Sequence, residues 1–283
     1  MSTTTLSGKT VLITGAGSGI GAATATVLAA RGAHLALLDL DEQAATRVAE
    51  GLSAPGRHLA IGADVTSSES LTAATDTAIT HFGGIDVVIA NAGVAEAGTV
   101  ATSRIESLAR TVDVNLTGVI RTVHATLPHV IDRRGYILLV SSAAALKNVP
   151  GGSSYAASKA GVDAFGGAMR LEVAHRGVDV GVAHPAWVRT PILDAQYKID
   201  AVREGISKLP WPFNVVTDVE DCAEIFAKGV EKRSRKVYVP GALAAVDRVR
   251  PLFTGALWDR LVKLRAATTV PALEAEISSR ATR

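Results

Sequence analysis

The sequence predicts an α/β protein with a single doubly wound parallel sheet, helices on both faces and an extra C-terminal helical tail. Short runs rich in aliphatic residues alternate with longer helical stretches between residues 10 and 240. Most of these runs are apolar without a period of two, which is typical of strands that are covered on both faces. Short connections between alternating strands and helices imply right-handed crossovers, which place a binding crevice at the carboxyl ends of the strands.

The elements follow in order from the first strand, which we predict at residues 10–13 and which precedes a helix from about residue 19 to residue 31. Further strands are expected at residues 34–38, 57–61, 86–90, 136–140, 178–182 and 236–239. No repeat, low-complexity tract or linker divides residues 6–240. We therefore predict one domain over 6–240, with a substrate lid at about 190–215, and an amphipathic helical tail over 241–283.

Composition and charge exclude several classes of protein. A net charge of +2 gives no case for nucleic-acid binding. The apolar runs are far shorter than the roughly 18 residues of a membrane-spanning helix, and the first residues do not resemble a secretory signal, so we expect a cytoplasmic protein. Cys222 is the only cysteine, which excludes an internal disulfide bond, and the histidines lack ligand spacing, so we assign no metal site.

The stretch TGAGSGIG, at residues 14–21, lies between the first strand and the first helix. Gly15 and Gly17 allow a tight turn with positive φ, while Gly19 and Gly21 let a helix N-terminus approach both a pyrophosphate and the preceding strand. A flexible turn is the alternative, but a strand before and a helix after form the context of a dinucleotide-binding loop. The spacing Gly-x-x-x-Gly-x-Gly resembles that of the short-chain dehydrogenase/reductase family.

Other motifs of that family occur in order along residues 6–240, namely LALLDL, GADV, ANAG, DVNLTG, LLVSSA, YAASK and HPAWVRT. The resemblance implies a Rossmann fold, a nicotinamide cofactor and a homo-oligomer, either a dimer or a tetramer. The cofactor-binding residues that it implies are Gly15, Gly17, Ser18, Gly19, Ile20, Gly21, Asp39, Asp64, Val65, Asn91, Ala92, Gly93, Tyr155, Lys159, Pro185, Val188 and Thr190.

The same resemblance implies four catalytic residues, Asn115, Ser142, Tyr155 and Lys159. Tyr155 and Lys159 share one helix face at i and i+4, and a nearby ammonium together with a cationic nicotinamide ring favours the phenolate form of a tyrosine. Tyr155 is then the general acid/base, and Ser142 holds the same substrate oxygen. By resemblance, Lys159 also binds the nicotinamide ribose, and Asn115 holds a water that connects Lys159 to solvent.

Taken singly, each of these side chains has a structural alternative. Tyr155 is also compatible with a half-buried aromatic, Lys159 with an exposed helix charge and Ser142 with a strand-end cap. Asn115 is also compatible with a local hydrogen bond to the backbone. The four residues together, at the family's spacing, favour the catalytic interpretation.

Asp39 predicts the choice of cofactor. A carboxylate at the end of the second strand accepts hydrogen bonds from both hydroxyls of the adenosine ribose and repels a 2′-phosphate, which selects NAD. The relatives that prefer NADP usually carry a basic residue in the glycine loop or just after this strand, where the present sequence has Ser18 and Leu40. The alternative is that Asp39 or Asp41 caps the next helix.

Apolar residues after Thr190 indicate an apolar substrate, such as a steroid-, terpenoid-, lipid- or aromatic-like secondary alcohol or ketone. Packing of the lid against the body is the alternative explanation. The residues concerned are Ile192, Leu193, Tyr197, Ile206, Leu209, Trp211 and Phe213.

The tail combines apolar residues at roughly helical spacing with a basic surface, since residues 228–265 carry ten basic and three acidic residues. We expect its apolar face to cover the protein's own cleft or a partner subunit. Peripheral contact with an anionic membrane is the alternative. The apolar residues are Val246, Val249, Leu252, Phe253, Leu257, Trp258, Leu261 and Leu264.

The sequence thus predicts an NAD-dependent oxidoreductase that transfers a hydride between the cofactor and a secondary alcohol or ketone. A non-catalytic scaffold or sensor that binds NAD(H) is the second interpretation. The complete set of four catalytic residues favours the enzyme, because a scaffold has no chemical need for it.

Overall fold

A computed structural model describes residues 5–52, 57–147, 150–253 and 256–281, and the side chains at 250–262, 264, 265, 268 and 281 lie outside the described part. The main strands are β1 (Thr10–Thr14), β2 (His34–Asp39), β3 (His58–Gly62), β4 (Val87–Ala90), β5 (Tyr136–Val140), β6 (Asp179–Pro185) and β9 (Lys236–Val239). They form one parallel sheet in the order β3-β2-β1-β4-β5-β6-β9. A separate pair joins β7 (Trp187–Val188) to β8 (Val216–Thr217).

The helices lie between and after these strands. They are α1 (Gly19–Ala30), α2 (Glu42–Glu50), α3 (Ser68–Phe82), α4 (Ile105–Val112), α5 (Gly118–Asp132), α6 (Ser153–Val173), α7 (Pro191–Tyr197), α8 (Asp200–Ser207), α9 (Val219–Glu231), α10 (Leu243–Phe253) and α11 (Ala256–Ala281). A π-helical segment, Asp113–Thr117, connects α4 to α5, and short 3₁₀ segments cover Ala143–Ala145 and Ala174–Arg176.

The strands are apolar throughout because both faces of the sheet are covered. Along β1, Val11 and Ile13 belong to one core cluster and Leu12 to a second, and all three are fully buried. Alternate residues of one strand therefore serve two hydrophobic cores, which removes the period of two from the sequence. The strand order reverses between β1 and β4, so a crevice opens at the carboxyl ends of these strands. The predicted fold class is confirmed.

Each of the seven predicted strands is present, and no strand end shifts by more than three residues. The β3 strand begins at His58, β4 at Val87 and β6 at Asp179, one residue after the predicted positions, and β6 extends to Pro185. Assignments of this kind vary by one or two residues at element ends. The pair of β7 and β8 is not predicted from the sequence, because two residues per strand carry no periodic signal.

The tail begins against the sheet edge. Leu243 is fully buried, and the carboxylate of Asp247 accepts hydrogen bonds from Lys236 Nζ at 2.7 Å and from Tyr238 Oη at 2.5 Å. Of the predicted apolar face, Val246 is half-buried and Val249 is exposed, and the other six side chains lie outside the described residues. Within the described residues, no helix combines the length and apolarity needed to cross a bilayer.

Candidate active site

A cavity of about 1230 Å³ lies at the carboxyl ends of the strands. Residues at or just after the ends of β2, β3, β4, β5 and β6 line it, including Asp39, Asp64, Asn91, Ser142 and Pro185. The predicted site residues line this cavity with three exceptions, which are Gly17, Gly21 and Asn115. The fold therefore assembles nearly all of the predicted site in one place.

The glycine loop has the conformation that its sequence requires. Gly15 and Gly19 have positive φ, at +65° and +54°. A Cβ on Gly21 would lie 2.1 Å from the carbonyl oxygen of Gly15, and a Cβ on Gly17 would lie 2.9 Å from Asp39 Oδ2, so side chains have no room at either position. Gly17 and Gly21 thus shape the loop from behind the cavity wall, which accounts for their absence from the lining.

The N-terminus of α1 is suited to an anion. Ser18 is its N-cap residue, yet no side chain makes a capping hydrogen bond there, and the first turn contains no acidic residue. By contrast, Asp41 caps α2 and Ser67 caps α3 through their side chains. Uncapped N–H groups and the positive end of the helix dipole form a site for phosphate groups, so the loop fits the pyrophosphate of a dinucleotide.

Thr14 organises this part of the site, and we did not predict that role from the sequence. Its Oγ1 accepts hydrogen bonds from the backbone N–H groups of Asn91 and Ala92 at 3.0 and 3.1 Å. In return, Asn91 Nδ2 donates to the carbonyl oxygens of Thr14 and Gly15 at 3.0 and 3.1 Å. These bonds join the loop after β1 to the loop after β4. The position of Thr14 at the head of TGAGSGIG is a signal that would have identified it.

Asp39 is held by the loop that it faces. Its Oδ2 accepts a hydrogen bond from the Gly17 N–H at 2.8 Å, and its Oδ1 accepts one from the Asp41 N–H at 3.0 Å. Asp41 is the cap of α2, because its Oδ1 accepts a hydrogen bond from Ala44 N at 3.0 Å. Asp39 does not cap the helix, so of the two aspartates it is the one that lines the cavity.

Asp64 and Thr190 both line the cavity, and each makes hydrogen bonds within its own loop. Asp64 Oδ1 accepts hydrogen bonds from the N–H and the hydroxyl of Thr66 at 2.8 and 2.7 Å, and these bonds hold the pKa of Asp64 below its usual range. Thr190 is the N-cap of α7 and donates to the carbonyl oxygen of Val188 at 3.1 Å. A Cβ on Gly19 would lie 3.4 Å from Thr190 Cγ2, so the lid begins beside the glycine loop.

Ser142, Tyr155 and Lys159 meet between β5 and α6. Ser142 Oγ donates to the Pro185 carbonyl oxygen at 3.3 Å and accepts a hydrogen bond from Ala144 N at 3.1 Å. Lys159 Nζ donates to the carbonyl oxygen of Val140 at 2.8 Å and lies 5.8 Å from the centre of the Tyr155 ring. The predicted i and i+4 pair therefore shares one helix face and one environment.

Burial sets the protonation of this pair. It raises the pKa of the Tyr155 phenol, and the hydrogen bond with Ser142 opposes this rise. Burial also lowers the pKa of Lys159 to about 8. Burial therefore favours the neutral phenol of Tyr155, and the expected effect of the ammonium together with a bound nicotinamide ring stays a prediction.

Asn115 lies in the π-helical segment and is fully buried. Its Oδ1 accepts a hydrogen bond from Val94 N, and its Nδ2 donates to Val94 O, both at 2.8 Å. A Cβ on Gly93 would lie 3.3 Å from Asn115 Oδ1 and 3.5 Å from Lys159 Nζ, so these two side chains approach each other over Gly93. The hydrogen bonds reach a loop 21 residues away, which excludes the local backbone role.

The remaining wall of the cavity is largely apolar. Of the predicted lid residues, Ile192, Leu193, Ile206, Leu209 and Phe213 line it. Tyr197 and Trp211 do not, and 71% of Trp211 is exposed, so the expectation fails for these two residues. Charged side chains also contribute to the lining, namely Glu96, Arg110, Asp113, Lys147 and Lys208.

The C-terminal helix α11 adds four lining residues that sequence reasoning missed, namely Ala266, Thr269, Val270 and Leu273. The predicted apolar face ended at Leu264, before this segment begins. Small and β-branched residues that lie far along the chain from the motifs give no local signal of such a contact.

Comparisons with known proteins agree with this geometry. A family model described as short chain dehydrogenase matches residues 9–200. The 3beta-hydroxysteroid dehydrogenase 1 of Eggerthella lenta is 34% identical over 88% of this chain and 96% of its own length. The cyclohexanol dehydrogenase of an Acinetobacter species is 34% identical over 65% of this chain and 75% of its own.

A solved structure is similar over most of the chain. A short-chain dehydrogenase/reductase from Burkholderia phymatum in complex with NAD has a TM-score of 0.78 and 27% sequence identity to this chain. The similarity covers 88% of this chain and 95% of that one. The motifs, the fold and these matches agree, and the chain belongs to the short-chain dehydrogenase family of oxidoreductases.

Proposed function

We propose that this protein interconverts an apolar secondary alcohol and its ketone with NAD as the cofactor. One observation carries the proposal: Ser142, Tyr155 and Lys159 line the same cavity as the glycine loop and Asp39. A nucleotide site, an acid/base group and an apolar wall are the parts that a hydride transfer to or from an alcohol carbon requires.

The residues act on the proton and on the position of the substrate oxygen. When bound, NAD supplies the hydride-accepting carbon and a positive charge on the nicotinamide ring. Tyr155 as phenolate takes the hydroxyl proton during oxidation, and as phenol returns it to the carbonyl oxygen during reduction. Ser142 hydrogen-bonds to the same substrate oxygen and fixes its distance from Tyr155.

Lys159 lowers the free energy needed to form the Tyr155 phenolate. Because burial raises the pKa of Tyr155, the phenolate forms at neutral pH only with positive charge nearby. With a pKa of about 8, Lys159 is mainly an ammonium at pH 7. It therefore supplies one positive charge, and the oxidised nicotinamide ring supplies the second. Asn115 and Lys159 approach each other over Gly93, which supports the proposed proton relay to solvent.

The preference for NAD rests on Asp39. Its two carboxylate oxygens each accept one backbone N–H and retain lone pairs for the hydroxyls of the adenosine ribose. A 2′-phosphate at this place would meet a fixed negative charge. Leu40 and Ser18, which also line the cavity, offer no cation to offset it. The solved relatives from Burkholderia phymatum and Mycobacterium paratuberculosis contain NAD, which supports the same choice.

The substrate that we propose is a ring-shaped, mainly apolar alcohol. Ile192, Leu193, Ile206, Leu209 and Phe213 give the lid an apolar lining. Three relatives are named for ring alcohols: a 3beta-hydroxysteroid, cyclohexanol and trans-4-hydroxycyclohexanecarboxylate. Apolar pockets with a few polar groups at the reacting end are typical of such substrates.

A panel assay tests the proposal. Formation of NADH from NAD, or of NADPH from NADP, would be followed with cyclohexanol, a 3β-hydroxysteroid, a terpenoid alcohol and an aromatic secondary alcohol. We expect turnover of at least one ring alcohol with NAD. If NADH binds, as measured by its fluorescence, but no alcohol or matching ketone turns over, then the NAD(H)-binding scaffold is the correct interpretation.

A further inference from the structure

The middle of α11 presents one face to the cavity. The four lining residues of this helix, Ala266, Thr269, Val270 and Leu273, are spaced at i, i+3, i+4 and i+7. This spacing is that of a single helical stripe. Leu273 is the largest of the four and is only 6% exposed. The stripe is therefore a continuous wall whose bulkiest member is Leu273.

Contacts on one side fix this wall to the part of the protein that carries Tyr155, which we call the catalytic body. Thr99 Oγ1 donates a hydrogen bond to Glu274 Oε1 at 2.7 Å. Leu273 Cδ2 lies 2.6 Å from the place where a Cβ on Gly151 would be, and Gly151 has a φ of +82°. A glycine just before α6 thus makes room for the leucine, and the helix that carries Tyr155 begins two residues later.

Contacts on the other side fix the wall to the lid. Glu276 Oε1 accepts a hydrogen bond from Asp200 N at 3.0 Å, and Oε2 accepts one from Ala201 N at 3.1 Å. The N-cap residue of α8, Ile199, has no side-chain capping bond. Glu276 therefore supplies the cap that α8 lacks, from a helix distant in sequence. The lid helix α8 and the wall of α11 are coupled through this carboxylate.

We infer that α11 is the substrate-facing wall between the catalytic body and the lid and that Leu273 determines which ring alcohols fit. This inference rests on the proposed function. Leu273 packs against Gly151 and lines the cavity, and we place it against the part of the substrate away from the reacting carbon. Glu276 is a positioning residue that acts through α8.

The experiment compares two substrates of different size, cyclohexanol and a 3β-hydroxysteroid. Leu273→Ala should shift the ratio of kcat/KM toward the steroid by roughly tenfold, because one or more methylene groups in an apolar pocket change discrimination by that order. Leu273→Phe should shift the ratio in the opposite direction. The change is expected mainly in KM.

A buried leucine outside the cavity provides the matched control. Leu71, on α3, is 1% exposed and belongs to a core cluster beneath the sheet. Leu71→Ala should lower the melting temperature without altering the substrate ratio. The inference is overturned if both Leu273 variants keep the wild-type ratio within about twofold, or if Leu71→Ala shifts the ratio as far as Leu273→Ala does.

Glu276 gives a second variant that leaves the wall's own side chains intact. Glu276→Ala should raise KM for both alcohols by several fold while leaving NADH affinity unchanged, and Glu276→Gln, which retains one acceptor oxygen, should raise it less. Equal KM values in all three proteins would show that the carboxylate does not position the lid.

A readout without turnover separates this inference from the proposed function. An alcohol cannot react with NADH, so its binding to the protein–NADH complex can be followed through NADH fluorescence. If the wild type binds the ring alcohols but oxidises none, the proposed function is wrong, while a size-dependent change in affinity in the Leu273 variants still supports the wall. If binding of neither alcohol responds to Leu273, the wall is wrong.

Discussion

At the scale of single residues, the chemistry of the site depends on side chains that the backbone holds in place. Asp39 is fixed by the N–H groups of Gly17 and Asp41, and Lys159 by the carbonyl oxygen of Val140. Hydrogen bonds of this kind orient a group before its ligand arrives and reduce the entropy lost on binding. Sequence motifs identified these two residues because Asp39 ends β2 and Lys159 lies on the first turns of α6.

The first residue-scale prediction concerns the cofactor. The double variant Asp39→Ala/Leu40→Arg should shift the ratio of kcat/KM from NAD toward NADP, because a repelling carboxylate is lost and a cation is placed on an exposed position. Leu40 is 67% exposed and has space for the longer side chain. Steady-state kinetics with both cofactors measure the shift. Equal or better efficiency of the wild type with NADP would contradict the assignment.

Asp41→Ala is the control for this variant. It removes the cap of α2, which typically costs about 0.5–2 kcal/mol, but it leaves Asp39 in place. The protein should therefore be less stable with an unchanged cofactor ratio. A shift in the ratio in this control would show that the position of α2, and not the carboxylate of Asp39, selects the cofactor.

The second residue-scale prediction follows from the pKa of Lys159, which burial lowers from 10.5 to about 8. Below pH 8 the folded protein bears the full cost of a buried ammonium. Between pH 8 and 10.5 the unfolded chain binds more protons than the folded one, so this site makes stability rise with pH. Relative to Lys159→Met, the wild type should gain on the order of 2 kcal/mol in free energy of unfolding between pH 7 and pH 10.

Urea unfolding of the two proteins at both pH values measures this gain. Lys159→Met also removes the hydrogen bond to Val140. This loss affects both pH values alike, so it contributes little to the difference between them. An equal change in the free energy of unfolding of the two proteins between these pH values would show that the pKa of Lys159 is not depressed in the folded protein.

At the scale of elements, the N-terminus of α1 follows the glycine loop at the cavity and has no side-chain cap. The N-termini of α2, α3 and α7 are satisfied by their own Asp41, Ser67 and Thr190, whereas that of α1 is left for an anion. The glycine spacing that produces this terminus is local, and so the sequence predicted it. The π-helical segment around Asn115 was not predicted, because its geometry depends on the bonds of Asn115 to the distant Val94.

Gly21→Ala tests the glycine loop as an element. A Cβ at this position would lie 2.1 Å from the Gly15 carbonyl oxygen, so the loop has to move. We expect NADH affinity to fall by more than about tenfold and the melting temperature to decrease. Fluorescence titration and thermal melts measure the two effects.

The matched control is Gly167→Ala in α6, where a Cβ meets nothing within 4 Å. Alanine is favoured over glycine in a helix by about 0.5–1 kcal/mol, so this variant should be slightly more stable and bind NADH normally. Normal NADH affinity in Gly21→Ala would mean that the loop does not need its observed conformation.

At the scale of the whole molecule, the described part of the tail packs against the rest of the protein near both of its ends. Leu243 is fully buried beside Ala143 and Leu146, and Leu273 reaches the catalytic body from the other end of the tail. The sequence predicted a helical tail over the cleft or a partner. It could not predict which residues make the contact, because such packing joins segments about a hundred residues or more apart, and the residues concerned give no local periodic signal.

Truncation after Gly241 should therefore destabilise the protein. It removes Leu243, Leu273 and the bonds of Asp247, and each buried apolar side chain is worth roughly 1.5–3 kcal/mol. We expect a lower melting temperature, or dissociation of the dimer or tetramer that we propose, measured by thermal melts and light scattering. Unchanged stability together with lost sedimentation on anionic vesicles would instead favour the membrane-binding alternative.

The account as a whole depends on Tyr155 being the acid/base group of a hydride-transfer site. The most direct measurement is the kcat of Tyr155→Phe with a ring alcohol that the wild type oxidises, alongside its NADH affinity and melting temperature. We predict a loss of about 10²–10⁴-fold in kcat, with binding and stability close to normal, because one hydroxyl is removed and the ring is kept. Retention of more than roughly a tenth of the wild-type activity would contradict the account.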